Sequence, residues 1–254
     1  MREQELRELA AELAMARRKL ELVPDPIAWP ADVAEAYRLQ ELVSAAYREE
    51  GSGWKVGATN DKALEAMKLE APFYGPMFKA HIHETNATIA FPPGAKGVEC
   101  EIAFRLKNDL PAREGGHDLA AVKAAIGSVH PAIEIIGARI DGPGPGNGLQ
   151  PIGDFGGNVD FVYGRGVEDW SEIDLEAETA DCHQNDEKVA SGEGRIVLGN
   201  PLNSIVWLTQ QGIALKDGDF VSTGTLTGLT PTQAGDRIEG NFATIGSVSV
   251  TFAD

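Results

Sequence analysis

The sequence predicts an α+β fold in which a helical N-terminal region, residues 1–53, precedes a β-rich domain, residues 54–254. Two observations support this prediction. Helical hydrophobic periodicity occupies the N-terminal region, and short apolar runs separated by Gly and Pro occupy the rest. The 29 glycines among 254 residues suit a turn-rich β fold.

Two amphipathic helices are expected in the N-terminal region. In residues 1–21 apolar side chains recur at helical spacing, and prolines at positions 24, 26 and 30 end the segment. Residues 31–49 carry a second apolar stripe, and Gly51 and Gly53 end that helix. The apolar positions are Leu6, Leu9, Ala10, Leu13 and Leu20 in the first helix and Val33, Ala36, Tyr37, Leu39, Leu42, Val43 and Ala46 in the second.

Short strands and two further helices organise the β-rich domain. The segment 142–148, rich in Gly and Pro, is a loop and either a mobile lid or an inert excursion. Helices are predicted over residues 119–129 and 200–212, the second with Pro201 near its first turn and Gly212 at its end. Strands are predicted over residues 54–58, 88–90, 98–106, 132–136, 158–164, 220–223 and 247–252.

Composition limits the partners and the compartment of this chain. The net charge of -17 argues against nucleic acid and anionic membrane surfaces as partners. No apolar run approaches the ~20 residues that span a bilayer, and the charged residues 1–20 lack the apolar segment of a secretory signal. The two cysteines, Cys100 and Cys182, could pair, but a reduced cytoplasmic protein is the simpler interpretation.

Two acidic side chains share one face of a predicted strand. In the run 97–104 apolar side chains alternate with Glu99 and Glu101, so the two acids point to the same side. At ~3.3 Å per residue they stand about 7 Å apart along the strand. The pair repels itself unless a cation lies between the carboxylates; the alternative is an ordinary solvated face.

A third carboxylate, Glu134, lies in the apolar run 132–136. A buried lone carboxylate is costly unless it is paired, protonated or bound to a metal. An ion pair with Arg139 or Arg105 is the alternative. Three carboxylates without clustered Cys or His ligands suit a hard dication, Mg²⁺ or Mn²⁺, with open positions for a substrate. A structural Ca²⁺ site in a non-catalytic β protein is a weaker alternative.

Two further ionisable residues lie in glycine-rich surroundings. Lys55, between Trp54 and Val56, is expected to be partly buried, and burial would lower its pKa towards the range of a useful acid or base. The alternative is a lysine that extends from a strand edge into solvent. Asp154 has glycines on both sides and is either a proton carrier, an acid that orients other groups, or a turn aspartate bonded to its own backbone.

A hydroxyl-rich turn and two histidines are weaker candidates. The segment 223–228, Thr-Gly-Thr-Leu-Thr-Gly, could hold a carboxylate through backbone amides and hydroxyls, but it lacks the nucleotide-binding P-loop pattern. His81 and His83 could share a zinc site, although no third ligand stands at useful spacing. We therefore prefer loop or edge histidines.

Taken together, these motifs resemble the fumarylacetoacetate hydrolase superfamily, in the branch of the 2-keto-4-pentenoate hydratases and 4-oxalocrotonate decarboxylases. The resemblance covers essentially the whole chain, and its specificity lies in the ordered set of motifs. The most distinctive are Gly-Trp-Lys-Val-Gly at 53–57, Val-Glu-Cys-Glu-Ile-Ala-Phe at 98–104 and Pro-Ala-Ile-Glu-Ile-Ile at 131–136. The other matching segments are 75–78, 154–164, 198–203, 215–224 and 246–252.

The resemblance implies a mixed β-roll or barrel-like core beside a small N-terminal helical region. It also implies that Glu99, Glu101 and Glu134 hold Mg²⁺ or Mn²⁺. Lys55 and Asp154 would be the acid–base candidates. Family members are commonly homo-oligomers, so we expect one here.

The resemblance further implies a small-molecule 2-oxo acid as substrate, which would chelate the metal through its carboxylate and 2-oxo oxygens. Residues 54–254 would form the catalytic domain. We expect Phe78, in the matching segment 75–78, and Thr223, Gly224 and Thr225 to contact the substrate.

The expected activity is the addition of water to a 2-hydroxy-2,4-dienoate in the catabolism of aromatic compounds. Hydratases usually carry Asn after the aspartate that matches Asp154, and here Phe155 and two glycines follow it. An acylpyruvate hydrolase, with a water held by His81, His83 or Glu84, and a decarboxylase of a vinylogous 2-oxo acid are alternatives. A metal-stabilised binding protein without turnover is an alternative of a different class.

Overall fold

The computed structural model describes residues 1–26 and 28–253, and six α-helices occur in this part of the chain. Side chains of Asp32, Asn60 and Asp118 accept a backbone N–H at the starts of α2, α3 and α4. The helices are α1 (Glu3–Lys19), α2 (Val33–Tyr47), α3 (Asp61–Met67), α4 (Leu119–Ala125), α5 (Leu149–Gly153) and α6 (Leu202–Gln210).

The strands form two large sheets and one short pair. The larger sheet has the order β3-β2-β12-β6-β7-β9-β4, with β13 also paired to β6, and the smaller has the order β11-β10-β14-β15-β5. β1 pairs with β8. The strands are β1 (Val23–Pro24), β2 (Gly51–Gly57), β3 (Phe73–Phe78), β4 (Ile82–Glu84), β5 (Ala87–Ala90), β6 (Ala95–Leu106), β7 (Ile126–Gly137), β8 (Ile140–Asp141), β9 (Asn158–Tyr163), β10 (Thr179–Gln184), β11 (Glu187–Glu193), β12 (Phe220–Thr225), β13 (Thr230–Pro231), β14 (Arg237–Phe242) and β15 (Gly246–Ala253).

The main hydrophobic core lies between the two sheets. The alternating apolar residues of β6, among them Cys100, Ile102 and Phe104, belong to this core together with Val250 and Phe252 of β15. Because side chains alternate along a strand, the odd-numbered residues of β6 are directed to the opposite face of the larger sheet. The fold thereby separates the apolar side of β6 from the side that carries its acids.

The N-terminal helices pack against the other face of the β-rich part. Leu9 and Leu13 of α1 and Leu39 of α2 share a buried cluster with Phe78 and Phe155. The buried guanidinium of Arg17 lies among three aromatic rings of this cluster, 5.1 Å from the centroid of Phe155. The helical region is therefore joined to the β-rich part through a shared core.

The helix predicted over residues 119–129 is wrong in its last four residues, 126–129. Helix α4 ends at Ala125, and residues from Ile126 onward form β7, which pairs with β6 along its length. Residues 126–129 gain cross-strand pairing with residues 104–106 of β6 there, with a bulge at Gly127, and a helix end would not provide these contacts. The two N-terminal helices and the α+β class are confirmed.

In the described part of the chain, no helix has the length and apolar character needed to cross a membrane. The homo-oligomer, the cytoplasmic location and the exclusion of nucleic acid remain predictions.

Candidate metal centre and active site

Three carboxylates meet where β6 pairs with β7. Glu99 and Glu134 stand directly opposite each other in the antiparallel register, and Glu101 lies two residues further along β6 on the same face. One carboxylate oxygen of each residue lies within 4.8 Å of the others. Glu101 and Glu134 are fully buried, whereas Glu99 is half-buried. The structure therefore brings together the three acids that the sequence singled out.

One oxygen of Glu101 is held from β12. The Ser222 hydroxyl and the Gly224 N–H both donate to Oε2, the latter at 3.0 Å. Both hydrogen bonds depend on an irregularity in the pairing of β12 with β6 between Ser222 and Thr225. At this point Gly224 has a positive φ of +114°, a conformation that favours glycine. A Cβ at Gly224 would lie 2.2 Å from Thr59 Oγ1. Among the described residues, no group donates to Glu101 Oε1, which is buried.

Glu134 is held from two other strands. The Asn158 side-chain amide at the start of β9 donates to Oε1 at 2.9 Å, and Lys55 Nζ of β2 lies 3.2 Å from Oε2. The backbone carbonyl of Asn158 accepts hydrogen bonds from the guanidinium groups of Arg17 and Arg139. Asn158 is a residue of the candidate site that the sequence analysis did not single out. Its only signal was a polar residue opening an apolar strand.

Lys55 does not behave as the sequence predicted. Burial alone would lower its pKa, but the carboxylates of Glu134, Glu101 and Glu99 outweigh burial and hold the pKa above its usual value. The expectation of a lowered pKa considered only burial. Lys55 therefore carries its proton when the acids are ionised, and its ammonium lies 5.2 Å from the centroid of the Phe73 ring.

Two of the acids, Glu99 and Glu101, resist ionisation. Burial, opposed by Lys55 and reinforced by Glu134, raises the pKa of Glu99 to about 7. Burial and then the neighbouring Glu134 and Glu99 raise the pKa of Glu101 well above its usual range. A dication would reverse this balance because it stabilises the charged form of every ligand.

This electrostatic balance predicts that metal stabilises the protein more at high pH than at low pH. A carboxyl group with a higher pKa in the folded state loses its contribution to stability as pH rises, here from about 4.5 to about 7 for Glu99. We expect the melting temperature with EDTA to fall between pH 5 and pH 7.5. We expect the increase caused by Mn²⁺ to be larger at pH 7.5. Thermal melts at both pH values check this, and an equal Mn²⁺ effect at the two would contradict it.

Two of the three acids, Glu99 and Glu101, line a cavity of about 440 Å³. Lys55, Gly224 and Thr225 belong to the same lining. Hydrophobic side chains of α3 and β3 line the cavity as well, among them Ala63, Met67 and Phe73. The volume suits a small ligand that combines polar and apolar groups.

The loop 142–148 contributes to this cavity, so it is not an excursion away from the site. Pro143, Gly146 and Asn147 line the cavity. The N–H of Gly144 donates to the side chain of Asp25 at 3.0 Å, which ties the loop to the segment after α1.

Four predicted site residues do not line the cavity, and the first of them is the fully buried Glu134. Asp154 is buried, and Arg139 binds its carboxylate through the backbone N–H at 2.8 Å and through the guanidinium at 3.3 Å. The Phe78 ring packs 4.8 Å from the centroid of Phe155, in the cluster beneath the N-terminal helices. The Thr223 hydroxyl donates to the Ile102 carbonyl, away from the acids.

The two histidines also lie elsewhere. His81 Nδ1 and His83 Nε2 lie 3.1 and 2.9 Å from the same oxygen of Asp160, and the Tyr47 hydroxyl lies 3.0 Å from His81 Nε2. Glu84 accepts a hydrogen bond from Tyr163. Within the described residues, the ligand geometry of a metal site is found at the three glutamates and not at this histidine cluster. Neither histidine lines the cavity.

The fold and the site define an α+β protein with a buried carboxylate cluster that opens on a cavity of small-molecule size. The family model for the fumarylacetoacetate (FAA) hydrolase C-terminal domain matches residues 43–253. The chain belongs to this fumarylacetoacetate hydrolase family. The expected fold, with mixed sheets of which one is a curled half-barrel, is confirmed.

Its relatives include both hydratases and a decarboxylase. 2-Keto-4-pentenoate hydratase 1 of Dechloromonas aromatica is 31% identical over 231 residues, covering 88% of this chain and 87% of that protein. 2-Hydroxyhexa-2,4-dienoate hydratase of Comamonas testosteroni is 29% identical, covering 80% and 78%. The structure of 4-oxalocrotonate decarboxylase from Pseudomonas putida G7, complexed with magnesium and adipate, matches with a TM-score of 0.85 and 26% identity, covering 99% of this chain and 98% of that one.

Proposed function

We propose that this protein is a metal-dependent hydro-lyase that adds water to a 2-hydroxy-2,4-dienoate in the breakdown of aromatic compounds. The observation that carries the proposal is the convergence of Glu99, Glu101 and Glu134 within 4.8 Å beside the ammonium of Lys55. The hydratase relatives support this choice among the reactions of the family.

The three carboxylates fit a hard dication such as Mg²⁺ or Mn²⁺. All the donors are carboxylate oxygens, and no soft ligand belongs to the cluster. Glu101 Oε1 is buried without a donor among the described residues, which is costly unless a cation satisfies it. Glu99, Glu101 and Glu134 would hold the ion.

Such an ion would supply Lewis acidity to the 2-oxo acid end of the substrate. Lys55 is the group that moves protons: its ammonium donates one to carbon 5 and recovers one from the 2-hydroxyl, which gives a conjugated 2-oxo acid. Water then adds, its oxygen to carbon 4 and its proton to carbon 3, to give a 4-hydroxy-2-oxo acid. The Thr225 hydroxyl accepts from the Gly228 N–H at 2.8 Å, so its own proton remains available to a substrate oxygen.

Asp154 acts in this proposal by shaping the cavity wall. The guanidinium of Arg139 binds both the Asp154 carboxylate and the backbone carbonyl of Asn158. These two contacts hold together the ends of a turn, residues 155–157, in which every residue has a positive φ. Gly156 and Gly157 of this turn line the cavity, and a Cβ at Gly156 would lie 2.7 Å from Lys55 Cδ. The turn therefore leaves room for the stem of Lys55.

The decisive experiment follows the ultraviolet absorbance of 2-hydroxypenta-2,4-dienoate with Mg²⁺ or Mn²⁺, and again after EDTA. We expect rapid, metal-dependent loss with 4-hydroxy-2-oxopentanoate as the product. No loss by protein that binds both metal and the pyruvyl mimic oxalate would contradict the proposal and leave a decarboxylase, an acylpyruvate hydrolase or a binding protein without turnover.

A decarboxylase is the second candidate, and the match to 4-oxalocrotonate decarboxylase over 99% of the chain favours it. Release of carbon dioxide from the keto form of 4-oxalocrotonate, whose conjugated 2-oxo group accepts the electron pair of the broken bond, would assign this reaction instead if the five-carbon dienoate is not hydrated. Both reactions use the same carboxylate cluster and the same 2-oxo acid end.

A further inference from the structure

Lys96 stands out among the residues of the cavity because of its charge. It is exposed and lines the same cavity as Glu99 and Glu101. Of the described residues that line the cavity, Lys55 and Lys96 carry the positive charges. Lys55 is paired with Glu134 at 3.2 Å, whereas no carboxylate in the described part of the chain forms an ion pair with Lys96. The cavity thus offers one cation that the carboxylate cluster does not engage.

A β-bulge explains why Lys96 reaches the cavity. By simple alternation Lys96 would share the face of Val98 and Cys100, which point into the core between the sheets. The pairing of β6 with β7 shifts between Ala95 and Gly97, so that Lys96 is an extra residue opposite no partner. Bulges of this kind redirect a side chain at the rim of a site.

Lys96 lies at a useful distance from the carboxylate cluster. Lys96 precedes Glu99 by three residues and Glu101 by five along β6. At ~3.3 Å per residue, the backbone positions of Lys96 and Glu99 are therefore about 10 Å apart at most. A ligand that holds a metal with its 2-oxo acid end extends from the cluster into the cavity. The flexible lysine stem can meet the far end of a chain of about six carbons.

The charges at the site leave a role for this cation. The three carboxylates already balance the charges of a dication and of the Lys55 ammonium, so the cluster has no excess positive charge to offer a second carboxylate of the substrate. The chain as a whole carries -17 and repels a dianion. Lys96 is the group on this cavity wall that can offset both effects.

We propose that Lys96 binds a second carboxylate at the far end of the substrate, so that the site prefers dicarboxylic 2-oxo acids. This inference rests on the proposed binding of a 2-oxo acid at the metal, and it holds for hydration and for decarboxylation alike. A carboxylate remote from the reacting carbons contributes to binding and orientation.

Calorimetric titration of Mn²⁺-loaded protein with two unreactive ligands of equal length tests the inference. The ligands are 2-oxoadipate, which carries the distal carboxylate, and 2-oxohexanoate, which lacks it. We expect the wild type to bind 2-oxoadipate about fivefold more tightly, and this preference to weaken as salt screens the ion pair. Lys96→Gln should lose the preference while binding 2-oxohexanoate as the wild type does, and Lys96→Arg should keep it.

Lys123→Gln is the matched control, because Lys123 is an exposed lysine of α4 that does not line the cavity. Equal binding of the two ligands by the wild type, or a preference that survives in Lys96→Gln, would overturn the proposed role of Lys96. Either result would leave the proposed 2-oxo acid site intact. If neither ligand binds in the presence of Mn²⁺, the proposed 2-oxo acid site is overturned as well.

Discussion

Glu134→Gln is expected to reduce Mn²⁺ affinity by at least about 100-fold and to abolish turnover of the dienoate. The substitution keeps the shape of the side chain and its contact with Asn158, but it removes the negative charge that a dication requires. Loss of a hydrogen-bonding neighbour of a metal ligand already costs 10- to 100-fold, so loss of a ligand should cost more. Titration of Mn²⁺ and the ultraviolet assay measure the two effects.

Glu101→Gln should behave in the same way, because Glu101 supplies the buried oxygen without a donor. Both variants should fold, since Lys55 retains two carboxylates beside it, and circular dichroism checks this. Glu187→Gln, which removes an exposed acid from the edge strand β11, should leave both quantities unchanged. Full metal-dependent turnover by Glu101→Gln or Glu134→Gln would show that the ligand assignment is wrong.

Lys55→Met is expected to lower kcat by about 100-fold or more without weakening Mn²⁺ binding. A positioned general acid or base typically contributes 10²- to 10⁴-fold to a rate. The ammonium of Lys55 lies 3.2 Å from Glu134, so its removal takes a competing positive charge away from the metal ligands. Metal affinity should therefore stay the same or rise while the chemical step slows.

Steady-state kinetics in saturating Mn²⁺ separate these effects for Lys55→Met. Lys123→Met serves as the control, because it makes the same exchange on an exposed helix position. An unchanged kcat would exclude Lys55 from proton transfer. A fall in Mn²⁺ affinity that matches the fall in kcat would instead indicate a structural role at the cluster.

Much of the fold was predictable from local patterns. The first two helices follow from their apolar stripes, and β6 follows from strict alternation around Glu99 and Glu101. The error at residues 126–129 arose because a helix and a strand compete for a short apolar segment. Pairing with β6, which is distant in sequence, decides that competition.

A residue of the candidate site was predictable from the sequence only where its own neighbours along the chain make it unusual. An acid in an apolar run, as at Glu134, conflicts with burial and signals a partner or a metal. Asn158, Ser222 and Lys96 carry no such signal, because an amide, a hydroxyl or a lysine is unremarkable at any strand end. Their roles depend on which strands lie beside them.

The sequence by itself determined the α+β class, the side of β6 that carries the acids and the identity of the three clustered carboxylates. Only the tertiary structure decided that Asp154 pairs with Arg139 and that Phe78 packs beneath the helices. It also decided that the pKa of Lys55 is raised rather than lowered. The physical reason is that alternation and burial are local properties of a strand, whereas strand register and the sum of charges around a buried group depend on segments brought together by folding.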